Sequence, residues 1–422
     1  MLEIARIREE KDKIVEALKV RNFDAQQVVN AVIETDAKWR DKKTQLDEIA
    51  AESNKLSKMI GQLFAQGKQE EANEAKAKTQ DLKASEKTLK DEVQQLADEL
   101  QKLMYEIPNV PDPLVPQGKT DKDNEEVDKG GVIPQLSNAV PHWELAEKYN
   151  LIDFEMGVKV TGAGFPFYVG QGARLQRALI NFFLDSARDS GYTEFIPPFV
   201  VNEASGYGTG QLPDKEGQMY HVGEDDLYLI PTAEVPLTNM YRDVILNESD
   251  FPVKVTGYTP CFRREAGSYG KDVRGLNRLH QFDKVEIVRL EHPDNSYAAL
   301  TEMVDYVKGL VTALGLPFRI VRLCGGDLGF TSALTYDFEV YSAAQEKWLE
   351  VSSVSNFETF QANRLKLRFK DADGKKQLAH TLNGSALALP RIMAALLENN
   401  QTADGIKVPE VLVPYTGFDM IK

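Results

Sequence analysis

The residues best suited to chemistry lie within positions 259–289 of this 422-residue chain. A strand-like run ends in residues 262–265, F-R-R-E, and a cationic loop punctuated by glycines follows it. A second strand-like run then extends over residues 280–288. This order predicts a β-hairpin whose long connecting loop carries positive charge.

Three side chains of this hairpin suit the binding of a nucleotide and an amine. The planar guanidinium of Arg263 can hold a phosphate through parallel hydrogen bonds. The ring of Phe282 can stack on a purine, and Glu286 can pair with an ammonium group. The alternative interpretation is an exposed hairpin whose charges only pair with each other.

The usual backbone cradles for nucleotide phosphates are absent from the sequence. No G-x-x-x-x-G-K-[ST] phosphate loop occurs, and Gly206, Gly208 and Gly210 lack the spacing of a dinucleotide fingerprint. Side chains would therefore have to hold any nucleotide.

A long helical hairpin precedes these residues. Residues 26–104 contain no proline, and their only glycines are Gly61 and Gly67. Gly67 suits the end of a first helix, and so short a turn requires the two helices to be antiparallel. Apolar residues recur at heptad spacing in two phases. The first phase is Val32, Trp39, Leu46, Ile49, Leu56, Ile60 and Leu63, and the second is Ala75, Thr79, Leu82, Leu89, Val93, Leu96, Leu100 and Leu103.

The hairpin has two interpretations. It can be a generic coiled coil for spacing or dimerisation, with lysines that form a solvated face. The same lysines can instead contact phosphates along an RNA, and periodicity does not distinguish these cases. They are Lys38, Lys42, Lys43, Lys55, Lys58, Lys76, Lys78, Lys83, Lys87 and Lys90.

Closely spaced prolines mark a boundary after the hairpin. Pro108, Pro111, Pro113 and Pro116 are followed by a polar run at 118–126, which predicts a linker of limited flexibility. Beyond it, strand and helix signals do not alternate regularly, so we expect an α+β fold with a mainly antiparallel sheet flanked by helices. The predicted divisions are an N-terminal domain at 1–107, a linker at 108–130 and a C-terminal domain at 131–422.

Composition limits the class of protein and its expected location in the cell. The formal net charge of −15 argues against a protein that coats nucleic acid nonspecifically. The only cysteines, Cys261 and Cys324, favour a reducing cytoplasm, and we expect no zinc site. The longest near-apolar stretch, 386–397, is short and contains Pro390 and Arg391, so we expect no membrane partner.

Several segments, taken in order, resemble the bacterial seryl branch of the class II aminoacyl-tRNA synthetases. Residues 259–289 resemble motif 2 of that class, and residues 382–391, L-N-G-S-A-L-A-L-P-R, resemble motif 3 with a helix expected at 392–399. Residues 191–198 resemble motif 1 more weakly, and the proline of that motif lies at the dimer interface in the family. The triplet at 232–234 and the E-V-S-S run at 350–353 also match. Because a helical hairpin followed by this core is the seryl architecture, the resemblance covers essentially the whole chain.

The sequence departs from the family pattern at two places. Ala386 and Pro390 occupy part of a run before Arg391 that is often rich in glycine, and proline is tolerated in a first helical turn. Tyr269 stands in the motif 2 loop where a small residue is common, which affects the expected contacts with the acceptor stem.

The resemblance implies that the chain ligates L-serine to tRNA(Ser), and to tRNA(Sec) where that tRNA is present. The serine carboxylate would attack the α-phosphorus of ATP and release pyrophosphate. A ribose hydroxyl of the terminal adenosine would then attack the seryl-adenylate, and neither step needs a protein nucleophile. The resemblance also implies Mg²⁺ with ATP, a homodimer, a tRNA-binding N-terminal domain and a catalytic C-terminal domain.

The resemblance further implies roles for residues that bind ATP. Arg263 would hold the α-phosphate and the substrate carboxylate, Arg391 the γ-phosphate, and Arg274 would assist the departing pyrophosphate. Glu265 would recognise the adenine edge, and Phe282 would stack on the adenine face. The full expected set is Arg263, Arg264, Glu265, Arg274, Phe282, Glu350, Val351, Ser352, Ser353 and Arg391.

The same resemblance implies the metal and serine sites. Glu350 and Ser353 would bind Mg²⁺ through hard oxygen atoms. The expected catalytic residues are Arg263, Arg391 and Glu350. The expected serine-binding set is Thr232, Ala233, Glu234, Arg263, Glu286, Asn383 and Ser385.

Three other functions compete with this one. A catalytically silent relative would be favoured by loss of Arg263, Glu286, Glu350 or Arg391, and all four are present. A ligase that charges a carrier protein would not need the long helical hairpin. A coiled-coil scaffold leaves the residues after 118 unexplained.

Overall fold

The computed structural model describes residues 1–215, 217–265 and 274–422, and Tyr269 lies outside these ranges. The chain divides into two compact units. The first comprises residues 1–19 and 23–108, and the second residues 20–22 and 109–422.

The first unit is helical. Its two long helices have 40 and 38 residues, so each is roughly 60 Å long at 1.5 Å per residue. Ion pairs between Lys42 and Glu92 at 2.8 Å and between Lys78 and Glu52 at 2.7 Å join them, and this register is antiparallel. The helices are α1 (Ile4–Glu9), α2 (Lys11–Leu18), α3 (Gln26–Ala65) and α4 (Gln69–Glu106).

The contact between α3 and α4 buries small polar side chains as well as apolar ones. Thr35 and Ser53, which interrupt the heptad pattern, are buried, as is Thr79. The Thr79 hydroxyl donates to the Ala75 carbonyl at 2.8 Å, which satisfies its polar atom inside the contact. The turn contains Gly67 with φ of 73°, a conformation that glycine adopts without steric cost.

The second unit contains the remaining elements of the described ranges. Its helices are α5 (His142–Lys148), α6 (Phe154–Val160), α7 (Gly170–Asp189), α8 (Glu203–Thr209), α9 (Glu234–Asn239), α10 (Ser296–Ala313), α11 (Thr359–Leu365), α12 (Leu389–Asn399) and α13 (Val413–Thr416). Its strands are β1 (Glu125–Gly130), β2 (Ile152–Asp153), β3 (Phe167–Tyr168), β4 (Thr193–Glu194), β5 (Val200–Asn202), β6 (Tyr220–Val222), β7 (Leu227–Leu229), β8 (Ile245–Asn247), β9 (Val253–Phe262), β10 (Gln281–Glu291), β11 (Phe318–Arg322), β12 (Leu334–Ser342), β13 (Lys347–Glu358), β14 (Arg368–Lys370), β15 (Lys376–Leu378), β16 (His380–Ala388), β17 (Gln401–Thr402), β18 (Gly405–Lys407) and β19 (Met420–Ile421).

An eight-stranded sheet organises this unit, in the order β1-β11-β12-β13-β16-β10-β9-β4. Every neighbouring pair is antiparallel except β4 and β9, which are parallel. The predicted α+β fold, with a helical coiled-coil hairpin and a mainly antiparallel sheet, is therefore confirmed.

Alternation along β10 separates the core from a polar face. Val285 and Ile287 lie in the main hydrophobic core, together with Phe183 of α7, Met303 of α10 and Ile392 of α12. Because successive side chains point to opposite faces of a strand, the residues between them face away from these helices. That second face carries most of the predicted site.

Two segments differ in extent from the sequence-based expectation. Residues 125–130, which we assigned to the linker, form the edge strand β1 and pair with β11. Helix α12 begins at Leu389 and not at 392, and its first turn includes Pro390. Within the described ranges, no helix has both the length and the apolar character needed to cross a bilayer.

Candidate active site on one sheet face

Neighbouring strands bring the predicted site residues together by their register. Glu286 of β10 pairs with Ser385 of β16, and Asn383 lies two residues away on the same side of β16. Ser353 of β13 pairs with Asp337 of β12. These side chains therefore share one face of the sheet although they are far apart in sequence.

A compact pocket of opposite charges forms at the β10 side of this face. Glu286 Oε2 accepts a hydrogen bond from the Thr232 hydroxyl at 2.8 Å and lies 2.5 Å from Lys284 Nζ. The side chains of Lys284 and Glu286 are only 7% and 2% exposed. Ala233 is fully buried beside them, so the triplet packs tightly against the pocket.

Glu234 adds a second carboxylate, at the first position of α9. Its Oε1 accepts a hydrogen bond from Gln361 Nε2 at 2.6 Å. Burial and the nearby charge of Glu286 raise the pKa of Glu234 to about 7, against lowering effects of Gln361, Lys284 and Arg263. The pocket can therefore gain or lose a proton near neutral pH.

Arg263 stands between this pocket and an aromatic surface. Its Nε donates to the Pro231 carbonyl at 3.4 Å, and its guanidinium lies 5.3 Å from the centre of the Phe282 ring. Phe282 pairs with Cys261 across β9 and β10, so it occupies the same face as Arg263. The guanidinium thus adjoins both a flat apolar surface and a carboxylate-rich pocket.

The next two residues turn away from the strand. Arg264 N donates to the Gln218 carbonyl at 2.9 Å, and Glu265 N donates to Gln218 Oε1 at 3.0 Å. Glu265 has a φ of 49°, and its carboxylate forms an ion pair with Arg278. A nucleotide base that used Glu265 would have to share it with Arg278 or displace that arginine.

Arg391 lies near the E-V-S-S run. Its Nε donates to the Asn277 carbonyl at 3.0 Å, and its Nη1 donates to the Glu350 carbonyl at 2.7 Å and lies 3.7 Å from Glu350 Oε2. Arg274 instead packs its guanidinium 4.8 Å from the centre of the Trp143 ring. Arg391 and Arg274, the two arginines predicted to bind the polyphosphate, are therefore held by different kinds of contact.

A β-bulge shapes the E-V-S-S run. Phe338 pairs with Ser352 and Glu339 pairs with Glu350, so Val351 is an extra residue in β13. Residues three apart usually point to opposite faces, but the bulge lets Ser353 Oγ approach Glu350 Oε1 at 3.4 Å. Val351 turns into the core, and Ser352 Oγ donates to the Ser385 carbonyl at 2.7 Å.

The oxygen atoms around Glu350 suit a hard cation. The described residues contain no group of three His, Cys, Asp or Glu side chains arranged to hold a metal. Asp337 Oδ1, opposite Ser353, is nevertheless buried without a hydrogen-bond partner. Burial and the charge of Glu350 hold the pKa of Asp337 well above its usual value. An ion that takes its other ligands from phosphates and water fits this donor set.

Three residues near the site were missing from the sequence-based prediction. Lys284 stands two positions before Glu286, so strand alternation was a usable signal for it. Asp337 lies in β12, and nothing local in the sequence distinguishes it. Gln361, on α11, reaches Glu234 only through the tertiary fold.

Two family profiles together cover most of the chain. The profile for the "Seryl-tRNA synthetase N-terminal domain" matches residues 1–111, and that for the "tRNA synthetase class II core domain (G, H, P, S and T)" matches residues 219–400. A serine–tRNA ligase of Salinibacter ruber is 52% identical over 100% of this chain and 99% of its own. The chain belongs to the seryl-tRNA synthetase family. It is accordingly an aminoacyl-tRNA ligase with a class II core.

Solved structures agree with this assignment to the seryl-tRNA synthetase family. The seryl-tRNA synthetase of Pyrococcus horikoshii, complexed with ATP, is 34% identical, with a TM-score of 0.91 and coverage of 100% of this chain and 99% of that one. The cytoplasmic serine–tRNA ligase of Naegleria fowleri, in complex with AMP, is 27% identical, with a TM-score of 0.86 and the same coverage. The predicted resemblance is confirmed over the whole chain.

Proposed function

We propose that this enzyme activates L-serine with ATP and transfers the seryl group to the 3′-terminal adenosine of tRNA(Ser), and of tRNA(Sec) where it occurs. The observation that carries the proposal is the position of Arg263 between Phe282 and the pocket of Glu234 and Glu286. The ATP complex of the Pyrococcus relative supports ATP as the nucleotide.

The pocket has the chemistry required for a small zwitterion with a hydroxyl group. Glu234 and Glu286 offer carboxylates to the serine ammonium, and the Thr232 hydroxyl holds Glu286 in place. Asn383 and Ser385 provide further polar groups on the neighbouring strand. Alanine would leave buried polar groups unpaired, whereas threonine must be excluded by the space available for one methyl group.

Activation then depends on positive charges that are in place before the reaction. Arg263 would neutralise the charge that develops between the serine carboxylate and the α-phosphate. Arg391 would bind the γ-phosphate, and Arg274, which packs on Trp143, would assist the departing pyrophosphate. Such preorganised donors stabilise a transition state without a protein nucleophile.

The adenosine and Mg²⁺ would bind on either side of these arginines. Phe282 would stack on the adenine, Glu265 would accept from its edge, and Arg264 and the backbone of Val351 and Ser352 would border the nucleotide. Glu350 and Ser353 would hold Mg²⁺, and the unpartnered Asp337 oxygen supports a cation there. When bound, the ion neutralises phosphate charge.

We assign tRNA binding to residues 1–107 and catalysis to the C-terminal domain, whose main sheet includes β1, so the connecting segment ends before residue 125. Of the ten hairpin lysines named in the sequence analysis, four form ion pairs: Lys42, Lys43, Lys78 and Lys90. In this fully described unit, the others are exposed and have no acidic partner within 4.0 Å, which leaves them available for phosphates. They are Lys38, Lys55, Lys58, Lys76, Lys83 and Lys87.

A homodimer through the motif 1 segment is the assembly that we favour. Strand β4 is an edge of the main sheet, and the residues after it expose apolar side chains, with Ile196 at 87%. An exposed strand edge beside an apolar surface is typical of an interface. The cytoplasmic location stays a prediction from the cysteine content.

Pyrophosphate exchange into ATP, measured with each of the twenty amino acids and Mg²⁺, tests the proposal. Serine should support exchange, and the same enzyme should then charge a tRNA(Ser) transcript with labelled serine. Preference for another amino acid would overturn the substrate assignment. Exchange with serine but transfer only to a carrier protein would favour the competing ligase.

A further inference from the structure

A buried polar cluster connects α5, α12 and the residues that follow the cationic loop. His142 at the start of α5 and Glu398 near the end of α12 both have side chains that are 0% exposed. His142 Nδ1 lies 2.7 Å from Glu398 Oε1, which also accepts the His142 backbone N–H at 3.0 Å. Burial of such a pair is costly, so it requires an explanation.

The contacts of the cluster define the protonation of both groups. Leu276 N donates to His142 Nε2 at 2.8 Å, so that ring nitrogen is an acceptor and the ring proton is on Nδ1. The Ser342 hydroxyl and Gln345 Nε2 also donate to Glu398. Burial alone would raise the pKa of Glu398, but the hydrogen bonds from His142 and Ser342 lower it below its usual value. Glu398 is therefore an anion and His142 a neutral donor.

The cluster holds the chain directly after Arg274. Gly275 has a φ of 66°, and a Cβ atom there would lie 2.2 Å from His142 Nε2. Only glycine lets the backbone approach the imidazole so closely. Arg274 itself packs on Trp143, the residue after His142.

The same cluster reaches Arg391 by two routes. Asn277 Nδ2 donates to Gln345 Oε1 at 2.8 Å, and the Asn277 carbonyl accepts from Arg391 Nε at 3.0 Å. Arg391 and Glu398 also belong to the same helix, about two turns apart and hence on a similar side. One set of buried contacts thus adjoins both arginines that we assigned to the polyphosphate.

We propose that His142 and Glu398 form a positioning unit that presents Arg274 and Arg391 together to the polyphosphate of ATP. This inference rests on the proposed function and deepens it. His142 has no direct contact with substrate in this scheme and is a positioning residue. The contacts described for the unit do not include Glu234 or Glu286, so its loss should weaken ATP binding and spare serine binding.

Paired substitutions at His142 separate its two hydrogen bonds. His142→Asn keeps a donor near Glu398 but removes the acceptor for Leu276 N–H, whereas the longer His142→Gln can place an oxygen near that N–H. In pyrophosphate exchange with the full-length chain, we expect His142→Asn to raise the KM for ATP about tenfold. The KM for serine should stay within about twofold, and His142→Gln should recover most of the loss.

Gln345→Ala is the second variant, because it removes the link between Glu398 and Asn277. Gln345 is only half-buried, so this variant can still be measured if His142→Asn does not fold. It should also raise the KM for ATP, but by less than His142→Asn does. An unchanged KM for ATP in the folded variants, equal losses for ATP and serine, or no recovery with His142→Gln would overturn the inference. If the parent enzyme itself does not use serine, the proposed function fails, and calorimetric ATP binding to the same variants still tests the positioning unit.

Discussion

Arg263 borders both Phe282 and the carboxylate pocket, so a single guanidinium would contact the two substrates of the proposed reaction. We expect Arg263→Ala to lower kcat for serine-dependent pyrophosphate exchange by about 100-fold or more, since preorganised donors contribute on that scale. Arg263→Lys keeps the charge but loses the planar fork, and it should recover only part of the activity. Steady-state exchange kinetics measure both effects.

Arg188 provides the matched control for that substitution. It is an exposed arginine of α7 that pairs with Asp185 and Asp189, away from the polar sheet face. Arg188→Ala should exchange normally, and both alanine variants should retain the parent's thermal midpoint by circular dichroism. Full exchange activity in Arg263→Ala would refute its phosphate role.

The raised pKa of Glu234 leads us to expect that serine binding depends on pH. Its pKa is raised to about 7, so in the free enzyme the carboxylate becomes an anion as the pH rises through that value. Glu286, Lys284 and Arg263 are the charged groups around it. Because the serine ammonium binds the anion better, the KM for serine should fall several-fold between about pH 6 and 8. Exchange kinetics across this window would show it.

The control for this titration is Glu234→Gln. The amide cannot ionise, so the KM for serine should be higher than in the parent enzyme and nearly constant across the same pH window. A parent enzyme whose KM for serine does not change with pH would contradict the assignment of Glu234 to the ammonium.

At the scale of elements, the hairpin of α3 and α4 can be shortened without changing its register. The cross-hairpin pairs Lys42–Glu92 and Lys78–Glu52 show which positions face each other. Removing residues 50–83 and closing the gap with a short glycine turn keeps the first pair and removes the second. It also deletes four of the exposed lysines without an acidic partner, Lys55, Lys58, Lys76 and Lys83. We expect pyrophosphate exchange to stay within about twofold and tRNA charging to fall at least about tenfold, because phosphate contacts dominate such affinity.

A charge-reversal variant provides the matched control for length. Lys55→Glu combined with Lys58→Glu keeps the hairpin intact and should also weaken tRNA binding. Because salt screens charges, the loss of affinity should be larger at low salt than at high salt. Binding assays at two salt concentrations would measure this. Normal tRNA charging by the shortened enzyme would make the hairpin a spacer.

The β-bulge of β13 is the element-scale feature that assembles the proposed metal ligands. In a regular strand without this bulge, Glu350 and Ser353 are three residues apart and would point to opposite faces of the sheet. Nothing in the sequence of residues 350–353 predicts that bulge. Its position depends on the pairing of β13 with β12, which the tertiary fold sets.

At the scale of the whole molecule, the motif 1 segment predicts the oligomeric state. Ile196 is 87% exposed beside the edge strand β4. A charge placed in an apolar interface is strongly unfavourable, so Ile196→Asp should shift the protein from dimer towards monomer in analytical ultracentrifugation. Val132→Asp is the matched control, because Val132 is 85% exposed but lies outside that segment. Sedimentation as a monomer by the parent protein would contradict the proposed dimer.

The sequence by itself determined the class of the molecule and its long helical hairpin. Heptad spacing specified the helical hairpin, because a continuous apolar stripe can be buried only against another helix. The ordered motifs identified the family and, through that resemblance, nominated Arg391, whereas residue type alone nominated Arg263 and Glu286. The hairpin and the family were predicted correctly because they depend on local periodicity and on the order of motifs along the chain, and the roles of the three side chains stay predictions.

Only the tertiary structure decided how the nominated side chains meet and what holds them. The pairing of Lys284 and Glu286, the raised pKa of Glu234 and the unpartnered oxygen of Asp337 follow from burial on one sheet face. The contact between His142 and Glu398 joins residues 256 positions apart. Such properties arise from desolvation and from long-range register, and neither quantity is encoded in the local spacing of residues.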